Sequence, residues 1–193
     1  MTPSEQSAAA RKVCALAPIV PVIVVREVAH ARPLAEALVK GGLPALEVTL
    51  RTPCALDAIR AMADVEGGMV GAGTLLTPAD VKAAKAAGAK FGVSPGATER
   101  LVKACEDEGL PLLPGAATAS EVMKLYEMGF DVLKFFPAEA SGGAPAIKAI
   151  GAPIPQVSFC PTGGVSLKNA NDYLSIGPAI GRIASVTMGD LPK

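Results

Sequence analysis

A lysine in the middle of an apolar run is the residue best placed to do chemistry in this sequence. Lys134 stands between Leu133 and Phe135 in Asp131-Val132-Leu133-Lys134-Phe135-Phe136-Pro137. Lysine is seldom buried. Desolvation disfavours the charged form of an amine, and a neutral amine attacks carbonyl carbon. The competing reading is a lysine whose stem lies along apolar surface while its ammonium reaches water or pairs with a carboxylate such as Glu47. A second run, Ala45-Leu46-Glu47-Val48-Thr49-Leu50-Arg51, alternates in type. As a strand it puts Glu47, Thr49 and Arg51 on one face and Leu46, Val48 and Leu50 on the other. An acid, a hydroxyl and a guanidinium facing inward need one another or a ligand. Either Glu47 and Arg51 form a structural pair, or Glu47 is a general base and Arg51 grips a carboxylate.

Other apolar runs end in glycine or proline: Gly71-Ala72-Gly73-Thr74, Ser94-Pro95-Gly96, Pro114-Gly115 and Pro161-Thr162-Gly163-Gly164. Glycines there either let a ligand approach the backbone or make ordinary strand-to-helix turns. Gly163-Gly164 precedes a predicted helix, where free N–H groups could hold a phosphate.

The elements that must position these residues are legible as a repeat. Short apolar runs at 19–25, 45–50, 69–74, 91–94, 111–114, 131–136 and 157–160 read as fully buried parallel strands. Alanine-rich segments at 29–40, 53–64, 78–87, 97–108, 119–128, 143–150 and 167–175 read as helices. Thr77-Pro78-Ala79-Asp80 and Thr118-Ala119-Ser120-Glu121 supply N-terminal caps. Gly41, Gly88, Gly109 and Gly129 supply C-terminal ones. Strict alternation means an α/β protein with a parallel sheet, either a closed (β/α)8 TIM barrel or an open doubly wound sheet. Near-equal repeats and the lack of G-x-G-x-x-G after the first strand favour the barrel. Its active site lies at the carboxyl ends of the strands, where the polar residues above fall.

Composition narrows the partners. The 193 residues, half of them apolar, suit one globular domain over 1–193. With 18 basic and 18 acidic residues and no block of like charge, neither nucleic acid nor an acidic membrane surface is an expected partner. Residues 1–10 lack the features of a signal peptide and the 19–25 run is too short for a membrane helix, so a cytoplasmic location is expected. Cys14, Cys54, Cys105 and Cys160 share no CxxC spacing, and His30, in a polar stretch, reads as a surface residue. These argue against zinc and for reduced thiols.

Six co-linear strings resemble the 2-keto-3-deoxy-6-phosphogluconate (KDPG) and 4-hydroxy-2-oxoglutarate aldolases. They are Pro21-Val22-Ile23-Val24-Val25, Leu46-Glu47-Val48-Thr49-Leu50-Arg51-Thr52, Val70-Gly71-Ala72-Gly73-Thr74, Val93-Ser94-Pro95-Gly96, Lys134-Phe135-Phe136-Pro137-Ala138-Glu139 and Phe159-Cys160-Pro161-Thr162-Gly163-Gly164. The resemblance implies a class I aldolase on a (β/α)8 barrel, assembled as a homotrimer, with no metal or organic cofactor and a small keto acid as substrate. It implies Lys134 as the Schiff-base lysine, Glu47 as general acid/base and Arg51 as the carboxylate-binding residue. Thr74, Pro95, Phe136 and Thr162 then line the keto-acid pocket, and Gly163 and Gly164 belong to a phosphate site. The alternatives within this chemistry are the galactonate epimer and 4-hydroxy-2-oxoglutarate; outside it stands an impaired barrel serving as an assembly or binding module.

Beyond Asn169-Ala170-Asn171-Asp172-Tyr173-Leu174 the likeness to these strings ends. Residues 180–186 could form an eighth strand, with too few residues after it for a full helix. A shortened last β/α unit, a weakened phosphate end and exposed apolar surface are the expectations for this end.

Overall fold

The computed structural model describes residues 1–166 and 168–176. An N-terminal helix, α1 (Pro3–Cys14), precedes the repeat. The chain then alternates β1 (Val22–Ile23), a 3-10 turn (Val28–His30), α2 (Ala31–Lys40), β2 (Ala45–Thr49), α3 (Ala55–Met62), β3 (Met69–Gly73), α4 (Pro78–Ala86), β4 (Gly92–Val93) and α5 (Glu99–Glu108). The next strand run is broken at Pro114 into β5 (Leu112–Leu113) and β6 (Gly115–Ala116). It is followed by α6 (Ala119–Met128), β7 (Val132–Phe135), α7 (Gly143–Gly151), β8 (Ser158–Pro161) and α8 (Ala170–Leu174).

Among the described residues all pairings are parallel, in the order β1-β2-β3-β4-β5 and β6-β7-β8. The run at Pro114 joins the two groups, with β5 bonded to β4 and β6 to β7. The strands curl into a barrel, as one contact requires. Glu47 on β2 and Lys134 on β7 meet at 3.4 Å. Those strands lie four steps apart along the order, which in a flat sheet is about 19 Å. The predicted barrel therefore stands over the open sheet. The expected eighth strand at 180–186, the shortened last unit and the exposed surface there lie outside the described residues.

Alternation along each strand builds two apolar layers. Leu46, Val48, Val70, Ala72, Leu112, Leu133, Phe135 and Phe159 face outward and pack with helix residues such as Leu38, Ile59, Val81, Leu101, Val122 and Ile147. Each such buried Val, Leu, Ile or Phe side chain contributes roughly 1.5–3 kcal/mol relative to an exposed one. Ala45, Phe91, Val93, Leu113, Val132 and Cys160 face inward. Against them pack Ala10, Val13 and Cys14 of α1, which closes the floor of the barrel.

The predicted caps form at Thr77 and Thr118, each as a full capping box with Asp80 and Glu121. Gly88, Gly109 and Gly129 adopt positive φ at helix ends as expected. Gly41 does not: its φ is −78°, and the positive angle, +84°, falls on Gly42. Helix α1 lies in a stretch read only as polar. Thr2 caps it, accepting from the Glu5 N–H while the Glu5 carboxylate accepts from the Thr2 N–H at 2.8 Å. Two contacts dock it: Ser7 Oγ accepts from the N–H groups of Asp131 and Val132, and Arg11 pairs with Asp131 at 2.9 Å.

Candidate active site

The barrel interior is apolar at its floor and ionic above it. Lys134 on β7 is flanked in register by Gly115 on β6 and Cys160 on β8. Glu47 on β2 is flanked by Val22 and Gly71. Their side chains are 5% and 4% exposed, and Lys134 Nζ donates to Glu47 Oε1 at 3.4 Å. The Lys134 Nζ also lies 5.2 Å from the centre of the Phe136 ring, within cation–π range. Beneath the pair, Ala10, Val13, Cys14, Val20, Phe91, Val93 and Leu113 leave a void of only about 10 Å³, too small to hold water comfortably. The Cys14 thiol against it, and burial, push the Cys160 thiol well above its usual range. Cys160 is thus a packing residue, not a second nucleophile.

Three inward glycines of the predicted ligand-approach set face protein atoms. A Cβ on Gly71 would lie 2.4 Å from the Phe91 ring, one on Gly73 2.3 Å from Glu47 Oε1, and one on Gly115 2.2 Å from the Pro95 carbonyl oxygen. Residues as bulky as Phe91 and Glu47 fit inside one small barrel because β3 yields them space, while β6 gives way to the Pro95 backbone.

The expected inward face of β2 holds for Glu47 and Thr49 and fails for Arg51. Thr49 is buried and donates to the Ile23 carbonyl at 3.1 Å. Arg51 lies past the last strand residue, exposed, and its Nε donates to Thr74 Oγ1 at 3.2 Å. The structural Glu47–Arg51 pair is replaced by a Glu47–Lys134 pair and an Arg51–Thr74 contact. Thr74 takes φ of +64°, a rare and strained conformation for a β-branched residue. Arg51, two residues past the end of β2, and Thr74, one residue past Gly73, therefore stand at the strand ends, beyond the glycine that covers the Glu47 carboxylate.

Phe136 precedes a cis bond to Pro137, and a Cβ on Gly163 would touch its ring at 3.4 Å. Thr162 is buried, and its carbonyl accepts from the Ala138 N–H at 2.8 Å. Lys134, Phe136, Thr162 and Gly163 thus belong to one cluster, with Pro95 packed on Gly115 beside it. Gly164 faces elsewhere, against the Glu139 side chain, which accepts a short hydrogen bond from the Tyr173 hydroxyl. Burial and that carboxylate raise the Tyr173 pKa. The helix predicted to follow the glycine pair starts only at Ala170 and has five residues, so Gly163-Gly164 is a free-standing turn. Glu139 and Tyr173 carried no periodic signal: one is exposed past a strand, and the other lies where the sequence pattern fades.

His30 is a surface residue, with its side chain 68% exposed. All four cysteines are free thiols. Among the described residues, no three His, Cys, Asp or Glu side chains gather as a metal site, and no helix is long and apolar enough to cross a membrane.

Fold and interior together define an enzyme class: a parallel α/β barrel with an amine and a carboxylate sealed inside and polar groups at the strand ends. A family model described as KDPG and KHG aldolase matches residues 10–190. The chain belongs to the KDPG and KHG aldolase family, and so to the carbon–carbon lyases. It is 52% identical over 168 residues to the KHG/KDPG aldolase of Escherichia coli K12, covering 86% of this chain and 79% of that protein. The crystal structure of the Zymomonas mobilis ZM4 2-keto-3-deoxy-6-phosphogluconate aldolase with 3-phosphoglycerate superposes with a TM-score of 0.86 at 49% identity, covering 90% of this chain and 83% of that one. The KDPG aldolase of Legionella pneumophila, with pyruvate captured at low pH as a covalent carbinolamine intermediate, gives a TM-score of 0.86 at 45% identity, covering 91% and 85%. The family match extends past residue 175, into the segment where the strings of the sequence cease to resemble the family.

Proposed function

We propose that this chain cleaves 2-keto-3-deoxy-6-phosphogluconate to pyruvate and glyceraldehyde 3-phosphate through an imine on Lys134, and that 4-hydroxy-2-oxoglutarate enters the same cycle. The observation that carries the reading is the Lys134–Glu47 contact at 3.4 Å inside the barrel. It provides an amine nucleophile and a proton carrier side by side, away from bulk water. The pyruvate carbinolamine in the Legionella relative supports the same chemistry.

The steps follow from that pair. The Lys134 amine, once neutral, adds to the C2 ketone, and loss of water leaves a protonated imine. Glu47 takes the proton of the C4 hydroxyl. The C3–C4 electron pair moves into the imine, so the aldehyde departs and an enamine remains. C3 then takes a proton back from Glu47, and water hydrolyses the imine to free pyruvate and amine. Arg51, with its position set by Thr74, holds the substrate carboxylate and so turns C2 towards Lys134. Phe136, Pro95 and Thr162 wall the keto-acid end, and the Gly163-Gly164 turn offers N–H groups to the phosphate end. No metal or organic cofactor enters these steps.

The family likeness supports assembly as a homotrimer, while chain length and the composition of residues 1–25 support a single-domain, cytoplasmic protein. Light scattering should then read three times the 19.4 kDa chain mass. For the reaction, pyruvate release from each substrate is followed with lactate dehydrogenase and NADH. Turnover of KDPG supports the reading, and release from neither substrate refutes it. Equal efficiency on both substrates would remove the phosphate site from the proposal.

A further inference from the structure

Strand β3 turns two glycines towards the barrel axis, Gly71 and Gly73. Neither has a positive φ, so the backbone would accept an L-residue at both. What excludes a side chain is different at each. At Gly71 it is the Phe91 ring, 2.4 Å from the missing Cβ. At Gly73 it is Glu47: Oε1 at 2.3 Å, Cγ at 2.8 Å and Cδ at 3.0 Å.

Glu47 has little freedom to yield. Its stem, not only its tip, occupies the space over Gly73. The side chain is 4% exposed and its Oε1 holds Lys134. Below it the floor is packed with Phe91, Val93 and Leu113. We infer that Gly73 is a positioning residue for the reaction: its bare backbone is the seat of the Glu47 carboxylate and fixes that carboxylate beside the Lys134 amine. The inference rests on the roles proposed for Lys134 and Glu47. Gly73 touches no substrate; it acts through Glu47, while Gly71 serves packing alone.

The test is Gly73→Ala, read in two assays that separate the amine from the carboxylate. Borohydride trapping of pyruvate reports imine formation on Lys134. Deuterium exchange at the pyruvate methyl group, followed by NMR, reports proton transfer by Glu47. An added methyl displaces the carboxylate by about 1 Å, and such misplacements cost on the order of 100-fold. Trapping should stay within about threefold of the parent, while exchange falls by about 10- to 100-fold. Gly71→Ala should lower stability yet leave exchange per folded molecule within about threefold, because its collision is with Phe91.

Glu47→Asp provides the rescue. Aspartate removes the nearest crowding atom, Oε1 at 2.3 Å, so adding Gly73→Ala in that background should cost clearly less than the 10- to 100-fold loss expected in the parent. The double variant should also fold if Gly73→Ala alone does not. An equal loss in both backgrounds, no loss in either, or a double variant that fails to fold would overturn the inference. The parent and Glu47→Gln are the controls for the underlying reading. A parent that traps no pyruvate, or Glu47→Gln with undiminished exchange, refutes the proposed roles and this inference with them.

Discussion

The Lys134–Glu47 pair should be a measurable determinant of stability as well as of chemistry. At 3.4 Å, and with an effective dielectric constant of about 20, the attraction is about 332/(20 × 3.4), or about 5 kcal/mol. Much of that offsets the cost of taking both charges out of water. Removing one partner is different, because it leaves the other charge buried and alone, at a cost of about 3–5 kcal/mol. Lys134→Met keeps the aliphatic stem and removes only the cation. Loss of the Phe136 contact at 5.2 Å adds about 0.5–1 kcal/mol. Urea unfolding at fixed protein concentration should show a midpoint lowered by about 1–3 M, for a slope of about 2–3 kcal/mol/M. Glu47→Gln should destabilise less, since a neutral amide still accepts a hydrogen bond from Nζ. Combining the two should recover at least about 1 kcal/mol relative to the sum of the single losses, because the orphaned charge is gone. Single losses under about 1 kcal/mol that simply add would refute the view that the two groups form a desolvated, interdependent pair.

Two further outcomes follow from the geometry. Arg51 is exposed and, among the described residues, bonded through Nε to Thr74, so Arg51→Ala should leave the unfolding midpoint nearly unchanged while raising KM for the keto acid by about 10- to 100-fold, the scale of lost charge-assisted bonds; an unchanged KM would move the carboxylate grip elsewhere. Burial pushes the Cys105 thiol up to about 12, so at pH 8 only about one molecule in 10⁴ carries the thiolate. Iodoacetamide at pH 8 should therefore label the half-buried Cys54 first and leave buried Cys14, Cys105 and Cys160 unmodified until denaturant is added; early labelling of Cys105, read by peptide mass, would contradict that.

The repeat was legible because fully buried strands are apolar on both faces and are punctuated by glycine and proline. Helix ends were legible where the cap is a threonine followed by an acid, as at Thr77 and Thr118. The same signal stands at Thr2-Pro3-Ser4-Glu5, but α1 went unread because small and polar residues conceal the face formed by Ala10, Val13 and Cys14. At the Gly41-Gly42 pair, composition offers two candidates for the left-handed position, and only the path of the chain chooses Gly42. Side-chain types on β2 and β7 identified Glu47 and Lys134 as candidates. A Lys134–Glu47 pair was one of the open readings of Lys134, and the choice depends on the curl that joins strands four steps apart. Alternation carried Arg51 inward with Glu47 and Thr49, but the strand ends at Thr49 and the period ends with it. The glycines of β3 suit either a ligand's approach or an ordinary turn by sequence, and in the fold they are room for Phe91 and Glu47. Sequence spacing reports where side chains are small and not what fills the space they leave.

Imine formation at Lys134 is tested most directly by reducing the protein with borohydride in the presence of pyruvate and mapping the product by peptide mass. Addition of pyruvate through a secondary amine at Lys134, absent without pyruvate and absent in Lys134→Arg, is the predicted result. A folded parent that yields no adduct, or an adduct on another lysine, would contradict it.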